Sequence, residues 1–370
     1  MNYYNFLWLF LAAAVISAIF TLIVIRFATK WRLYDLPAPR KIHQKPIPRL
    51  GGLAFAASFV IIVLAFLIFK PDLVRFSPWI WASFIDKRLF GVLLGATILV
   101  IVGMIDDIKT LPPITKLAWQ IIAAVVVIIS GIGIDYIRNP FGGPIIYLNH
   151  WQIPIHFYGQ IYHLVVWGDL FVAVWIVLMI NVLNFLDGLD GLAAGVSAIA
   201  FLTLFFLSLS SDVNQMATAI LCLILAGATA GFLTQNFYPA KIFMGDSGSM
   251  FLGYMIAVLA VISGGKVTTS FLVLGFPILD GLWVVGRRLL TKRSPFMADK
   301  KHLHHRLLTV GLNQKQAVLG IYLLSAAFGV VALVSQTREK FIALICLLGL
   351  MILLAIILVM VEWKKEGLKK

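Results

Sequence analysis

Apolar residues run through this chain in long, nearly unbroken stretches, separated by short polar segments rich in Asp, Asn, Gly and Pro. A helix needs about 20 mostly apolar residues to cross the hydrocarbon of a bilayer. By that measure the pattern predicts eleven spans, near 6–28, 50–69, 88–105, 116–133, 164–186, 191–210, 214–235, 247–263, 268–290, 316–335 and 340–362. The first run lacks a basic leader and is followed by Arg26, Lys30 and Arg32, so it reads as a retained span with a stop-transfer flank rather than a cleaved signal peptide. The longest polar segment, 134–163, carries a Gly142-Gly143-Pro144 turn followed by IIYLN and IPIHF, which predicts a small β-hairpin near 144–158. No repeat of fixed period interrupts the series. The expectation is one all-α polytopic domain over residues 1–370.

Composition sharpens this reading. Apolar residues make up 61% of the 370, against about 45–50% in soluble domains. Charged residues are only 12%, too few for a disordered chain. The two cysteines, Cys222 and Cys346, stand far apart inside apolar runs, which excludes a disulfide framework or a cysteine metal cluster. The net charge of +14 bears first on topology. The loops after odd-numbered spans and the C-terminal tail hold most of the 30 Lys and Arg. Only Lys70, Arg75, Lys87, Arg88, Arg138, Lys266, Arg338 and Lys340 fall on the other side. By the positive-inside rule the odd loops are cytoplasmic, the N-terminus lies outside and the C-terminus inside.

Candidate chemistry gathers on that inner side. Five loops carry it, at about 29–49, 106–116, 181–195, 236–249 and 291–315. The first reads DLPAPRKIHQKPIPRLGG. The second holds Asp106 and Asp107, the third Asn181, Asn184, Asp187 and Asp190 within NVLNFLDGLDGLAAG. The fourth, NFYPAKIFMGDSGS, has Asn236, Phe243 and Asp246. The fifth, DKKHLHHRL, has His302, His304, His305 and Arg306. An Asp at the bilayer centre costs about 2.5–3.5 kcal/mol on insertion scales, so these acids belong in a shared polar cavity at the inner interface. Carboxylates and amides without thiolates suit a hard cation, Mg²⁺ with Mn²⁺ able to substitute. Backbone N–H groups of GDSGS, at the start of an apolar helix, are placed to meet phosphate oxygens.

Plainer readings stand beside these. Asp246, Ser247 or Ser249 would serve as an ordinary helix cap, and Gly188, Gly191 and Gly195 as a packing seam. The HLHHR segment would hold zinc or face anionic lipid headgroups. Lys300, Lys301 and Arg306 repel a dication but suit a pyrophosphate. A cation-coupled transporter is the rival class. It calls for acids at mid-span and gates on both faces, whereas the outer loops hold little beyond Asp72, Asp86, Asp135 and Asp212.

The ordered set DD, NxxNxxDGLDGL, NxxPAxxFMGDSGS and HxHHR resembles the polyprenyl-phosphate N-acetylhexosamine-1-phosphate transferases, the MraY/WecA superfamily, over about residues 30–310. The resemblance implies transfer of a sugar 1-phosphate from a UDP-sugar to a polyprenyl phosphate, with release of UMP, in a bacterial plasma membrane. It implies that Asp246 holds Mg²⁺, that Asp106, Asp107 and Asp187 are catalytic, and that Lys116 lies near the phosphates. It places Asp190, Asn236 and Phe243 around the uridine, and His302, His304, His305 and Arg306 at the sugar pyrophosphate. The partners implied are the two substrates, the bilayer and a second copy in a homodimer; nucleic acid is not among them. Leu303 interrupts the three consecutive histidines of the MurNAc-pentapeptide branch, and an eleventh span is typical of the WecA/TagO branch. UDP-GlcNAc and undecaprenyl phosphate are therefore the expected substrates. Direct attack by the lipid phosphate is the favoured route, with a covalent Asp intermediate as the alternative.

Overall fold

The computed structural model describes residues 3–37, 44–76, 80–81, 85–137, 139, 143–157, 160–263, 267–290 and 303–367. Its helices are α1 (Tyr3–Lys30), α2 (Gly52–Phe69), α3 (Lys87–Ile108), α4 (Pro113–Ile129), α5 (Val166–Leu186), α6 (Leu192–Leu209), α7 (Met216–Asn236) and α8 (Gly245–Ile262). They continue with α9 (Val267–Val273), α10 (Gly275–Leu290), α11 (Leu303–Val310), α12 (Gln314–Val334) and α13 (Thr337–Gly367). Each predicted apolar run falls on helix, that at 268–290 on two, and the protein is an all-α polytopic membrane protein. Among the described residues eight helices are long and apolar enough to cross a bilayer singly, or nine if one bent pair is a single span.

That bent pair revises the reading of 268–290 as one helix. α9 and α10 meet at an angle of 80°. Pro277, in the first turn of α10, has no N–H to donate to the carbonyl one turn back, so the ladder breaks there. Gly275 sits against Leu347 of α13, and a Cβ at that position would overlap its side chain.

The hairpin expected near 144–158 is also re-paired. Residues 152–157 do form a strand, but they pair antiparallel with 160–165, from Gln152 opposite Val165 to Phe157 opposite Gln160. Residues 146–147 pair instead with 136–137. QIPIHF and QIYHLV alternate alike and flank Tyr158-Gly159, so near neighbours pair at small loop-closure cost. The expected turn at Gly142 lies partly outside the described residues.

Burial identifies the middle of the bundle. The apolar window of α8 is 89% buried, against 17% for α1. α8 is hydrophobic on all sides because it is enclosed by α2, α3, α5, α6 and α9. Peripheral helices turn large apolar residues such as Trp8, Ile68 and Leu323 outward, as a bilayer solvent permits. Small residues bring backbones together around α8: a Cβ on Gly52 would meet Gly248 N at 2.1 Å, and one on Gly103 would meet Ser247 Cα at 2.4 Å. The short α8 therefore has its first turn pressed between the start of α2 and the end of α3.

Candidate active site

The acids of the second, third and fourth loops converge on that first turn. Asp106 and Asp107 end α3, Lys116 and Gln120 lie on the first turns of α4, Asn181 and Asn184 on the last turns of α5, and Asp246 on the first turn of α8. Lys116 is the hub. Its Nζ donates to Asp246 Oδ2 at 2.8 Å and to Asp106 Oδ2 at 3.2 Å. Asn184 Nδ2 donates to Asp246 Oδ1 and to Ser249 Oγ, each at 3.0 Å. Asp106 Oδ1 accepts from Leu111 N at 2.6 Å, which orders the α3–α4 turn.

Asp107 points elsewhere. Its Oδ1 accepts from Asp246 N at 2.8 Å, and its Oδ2 from Ser247 N at 3.2 Å and Ser247 Oγ at 2.8 Å. This corrects two expectations. The cap of α8 is not Asp246, Ser247 or Ser249, since the residue at the cap position is Met244 and no local side chain closes the helix. The amides of residues 246 and 247, expected to be open to phosphate, are bound by Asp107.

The remaining residues divide by role. Asn181 Nδ2 donates to Gln120 Oε1 at 2.7 Å and to Val177 O at 2.8 Å, so it ties α5 to α4 rather than joining the carboxylates. Asn236 Nδ2 donates to Ile242 O at 2.9 Å, and Asp190 Oδ2 accepts from Ala240 N at 3.0 Å. Both thereby hold the 237–244 loop in shape. Phe243 is half-buried on that loop, its backbone bonded to Pro48 O and Gly51 N. Asp187 follows α5 directly; burial, then the charges of Asp246, Asp107 and Asp190, push its carboxyl up to about 8, opposed by Arg49. Arg49 itself pairs with Asp35 across the two-residue ladder of 34–35 with 47–48.

His302 and the side chains of His304 and His305 lie outside the described residues. Arg306 is half-buried on α11, whose first amide, Leu303 N, donates to Asp280 Oδ1 at 2.8 Å. Gln120, Arg49 and Asp280 went unread in the sequence. Gln120 stands one turn from Lys116 and was legible from the i, i+4 spacing. Arg49 and Asp280 acquire meaning only from partners that folding brings near.

The donor set fits Mg²⁺. Two carboxylates, Asp106 and Asp246, already converge on one cation, the Lys116 ammonium, with amide and hydroxyl oxygens beside them. Mg²⁺ commonly takes one or two carboxylates and completes its shell with waters and substrate phosphate oxygens. Among the described residues no three acids, histidines or cysteines form a full protein cage, which such a shell does not require.

Known proteins are similar to this chain over most of its length. Residues 89–264, which contain the whole carboxylate cluster, match the family model described as Glycosyl transferase family 4. The chain is 34% identical over 354 residues, 94% of its length and 90% of the relative's, to a probable undecaprenyl-phosphate N-acetylglucosaminyl 1-phosphate transferase of Bacillus subtilis (strain 168). It is 32% identical to the decaprenyl-phosphate N-acetylglucosaminephosphotransferase of Mycolicibacterium smegmatis, over 85% of this chain and 78% of that one. It is 27% identical to the undecaprenyl-phosphate alpha-N-acetylglucosaminyl 1-phosphate transferase of Yersinia pestis, over 91% and 86% respectively. With its acids gathered at one end of an all-α bundle and relatives aligned over nearly its whole length, the chain belongs to glycosyl transferase family 4, in the MraY/WecA superfamily.

Proposed function

We propose that this protein transfers GlcNAc 1-phosphate from UDP-GlcNAc to undecaprenyl phosphate, releasing UMP and leaving a lipid-linked GlcNAc pyrophosphate for cell-wall or surface-polymer synthesis. The observation that carries the proposal is the convergence of Asp106, Lys116, Asn184 and Asp246 in a chain aligned over 94% of its length with such a relative. The basic-residue bias supports a multi-pass protein of a bacterial plasma membrane with this site toward the cytoplasm.

Two anions must meet, so catalysis here is mainly neutralisation and alignment. Asp246 and Asp106 would hold Mg²⁺, which when bound polarises the donor pyrophosphate and makes UMP a better leaving group. The lipid phosphate, with a second pKa of about 6, is mostly dianionic at neutral pH and needs no strong base. Its oxygen attacks the sugar-bearing phosphorus of the donor. A new P–O bond forms, the bond to the bridging oxygen breaks, and UMP leaves with that electron pair. Lys116 brings positive charge to where the phosphates meet, and Asp106 orients the attacking phosphate. Asp187, buried beside Asp246, Asp107 and Asp190 and near Arg49, adds its carboxyl group to the catalytic cluster. The 237–244 loop shaped by Asp190 and Asn236 presents Phe243 to the uracil, and His302, His304, His305 and Arg306 engage the sugar pyrophosphate.

The test is UMP release by detergent-purified protein with undecaprenyl phosphate and Mg²⁺, assaying UDP-GlcNAc, UDP-GalNAc and UDP-MurNAc-pentapeptide side by side. UMP formed chiefly from UDP-GlcNAc supports the assignment. Equal use of the other donors would refute the sugar, and no UMP from any donor would refute the reaction.

A further inference from the structure

The adjacent acids at the end of α3 face different partners. Asp106 joins Lys116 and the α3–α4 turn, while Asp107 spends both oxygens on α8, accepting from Asp246 N, Ser247 N and Ser247 Oγ. The first N–H groups of any helix need partners outside it, and a carboxylate there also suits the helix dipole. Such a cap usually stands just before its helix. Here it comes from 139 residues away.

The surrounding backbone is shaped to receive it. Gly245 has φ +74°, and a Cβ there would lie 2.5 Å from Asp107 Oδ2. The close packing of Gly103 on Ser247 holds α3 and α8 at the distance these bonds require. One of the three donors is the amide of Asp246, the residue whose carboxylate reaches Lys116 and Asn184. Turning Asp107 toward a substrate phosphate would release this turn.

We propose that Asp107 is a positioning residue: it caps α8 from α3, and through that cap it sets the reach of the Asp246 carboxylate toward a divalent cation. Asp106 alone of the pair then faces the substrates. The inference rests on the reading of Asp246 as the Mg²⁺ ligand.

The test is Mn²⁺ affinity by electron paramagnetic resonance on purified protein without nucleotide or lipid, with UMP release measured in parallel. Asp107→Ala removes every acceptor and should weaken Mn²⁺ binding about tenfold. Asp107→Asn keeps an oxygen able to cap and should lose less. Ser247→Ala deletes one hydroxyl, leaves Asp107 in place and should weaken binding about threefold, so the test survives if Asp107→Ala fails to fold. Turnover should fall in the same order, with KM for the lipid phosphate little changed. Lost turnover with wild-type Mn²⁺ affinity in all three variants would overturn the inference and place Asp107 on the lipid phosphate. A wild-type protein that binds no Mn²⁺ would instead overturn the reading of Asp246, and this inference with it.

Discussion

Asp246 carries a test separate from any capping role. Asp246→Asn retains size and one accepting oxygen but loses the second acceptor and the charge that would hold a dication. We expect turnover to drop by several orders of magnitude and Mn²⁺ binding to disappear, while the protein purifies and melts normally. Unaltered turnover with unchanged Mg²⁺ dependence would leave Asp246 a purely structural residue. Gly245→Ala tests the turn ahead of it. A Cβ in the left-handed region costs about 1–2 kcal/mol, and here it would also displace Asp107. A lower melting temperature in detergent and reduced turnover should appear together. Motifs made the acids legible at this scale: DD, NxxNxxD and GDSGS mark them as a set. Their pairings were not legible, because Asp106 and Asp107 are equivalent in sequence until helix rotation sends one to Lys116 and the other to α8.

Among the elements, α10 and α11 govern the basic segment. Asp280 of α10 accepts from Leu303 N and so caps α11, which carries Arg306. Loss of a capping acceptor costs about 1 kcal/mol. In Asp280→Ala, hydrogen exchange across 303–310 should therefore quicken about fivefold, with α8 unaffected. Unchanged exchange in α11 would show that packing against α12 and α13 orders it without the cap. The α9–α10 bend was written in the sequence as Gly275-Phe276-Pro277 but was overridden there by the continuity of the apolar run. Hydropathy reports whether a segment tolerates lipid, whereas Pro277 decides whether its hydrogen-bond ladder continues. The strands between α4 and α5 show the converse error, in which turn-like residues at 142–144 drew attention from the better-matched pair at 152–157 and 160–165.

For the whole molecule, sidedness is the decisive property, since a site for the proposed nucleotide sugar would have to open to one compartment. With Cys346 replaced by Ser, a cysteine at Asn149 should react with a membrane-impermeant maleimide in intact cells. One at Lys241 should react only after permeabilisation. External labelling of both would sink the orientation inferred from the basic residues and the cytoplasmic placement of the site. The enclosed α8 and the peripheral α1 also belong to this scale: both are apolar, but α8 is surrounded by helices, whereas α1 packs on α7 and α2 and leaves most of its apolar surface exposed.

Composition and hydropathy by themselves determined that the chain is an all-α membrane protein and where its apolar runs lie, because lipid forces a backbone to satisfy itself within each helix. Tertiary structure alone decided that α8 is the centre, that Lys116 bridges Asp106 and Asp246, and that Asp107 serves a helix 139 residues away. Those outcomes depend on close approaches such as Gly52 to Gly248 and Gly103 to Ser247. A hydropathy pattern contains no information about which helix meets which, since every apolar face is equally content with lipid.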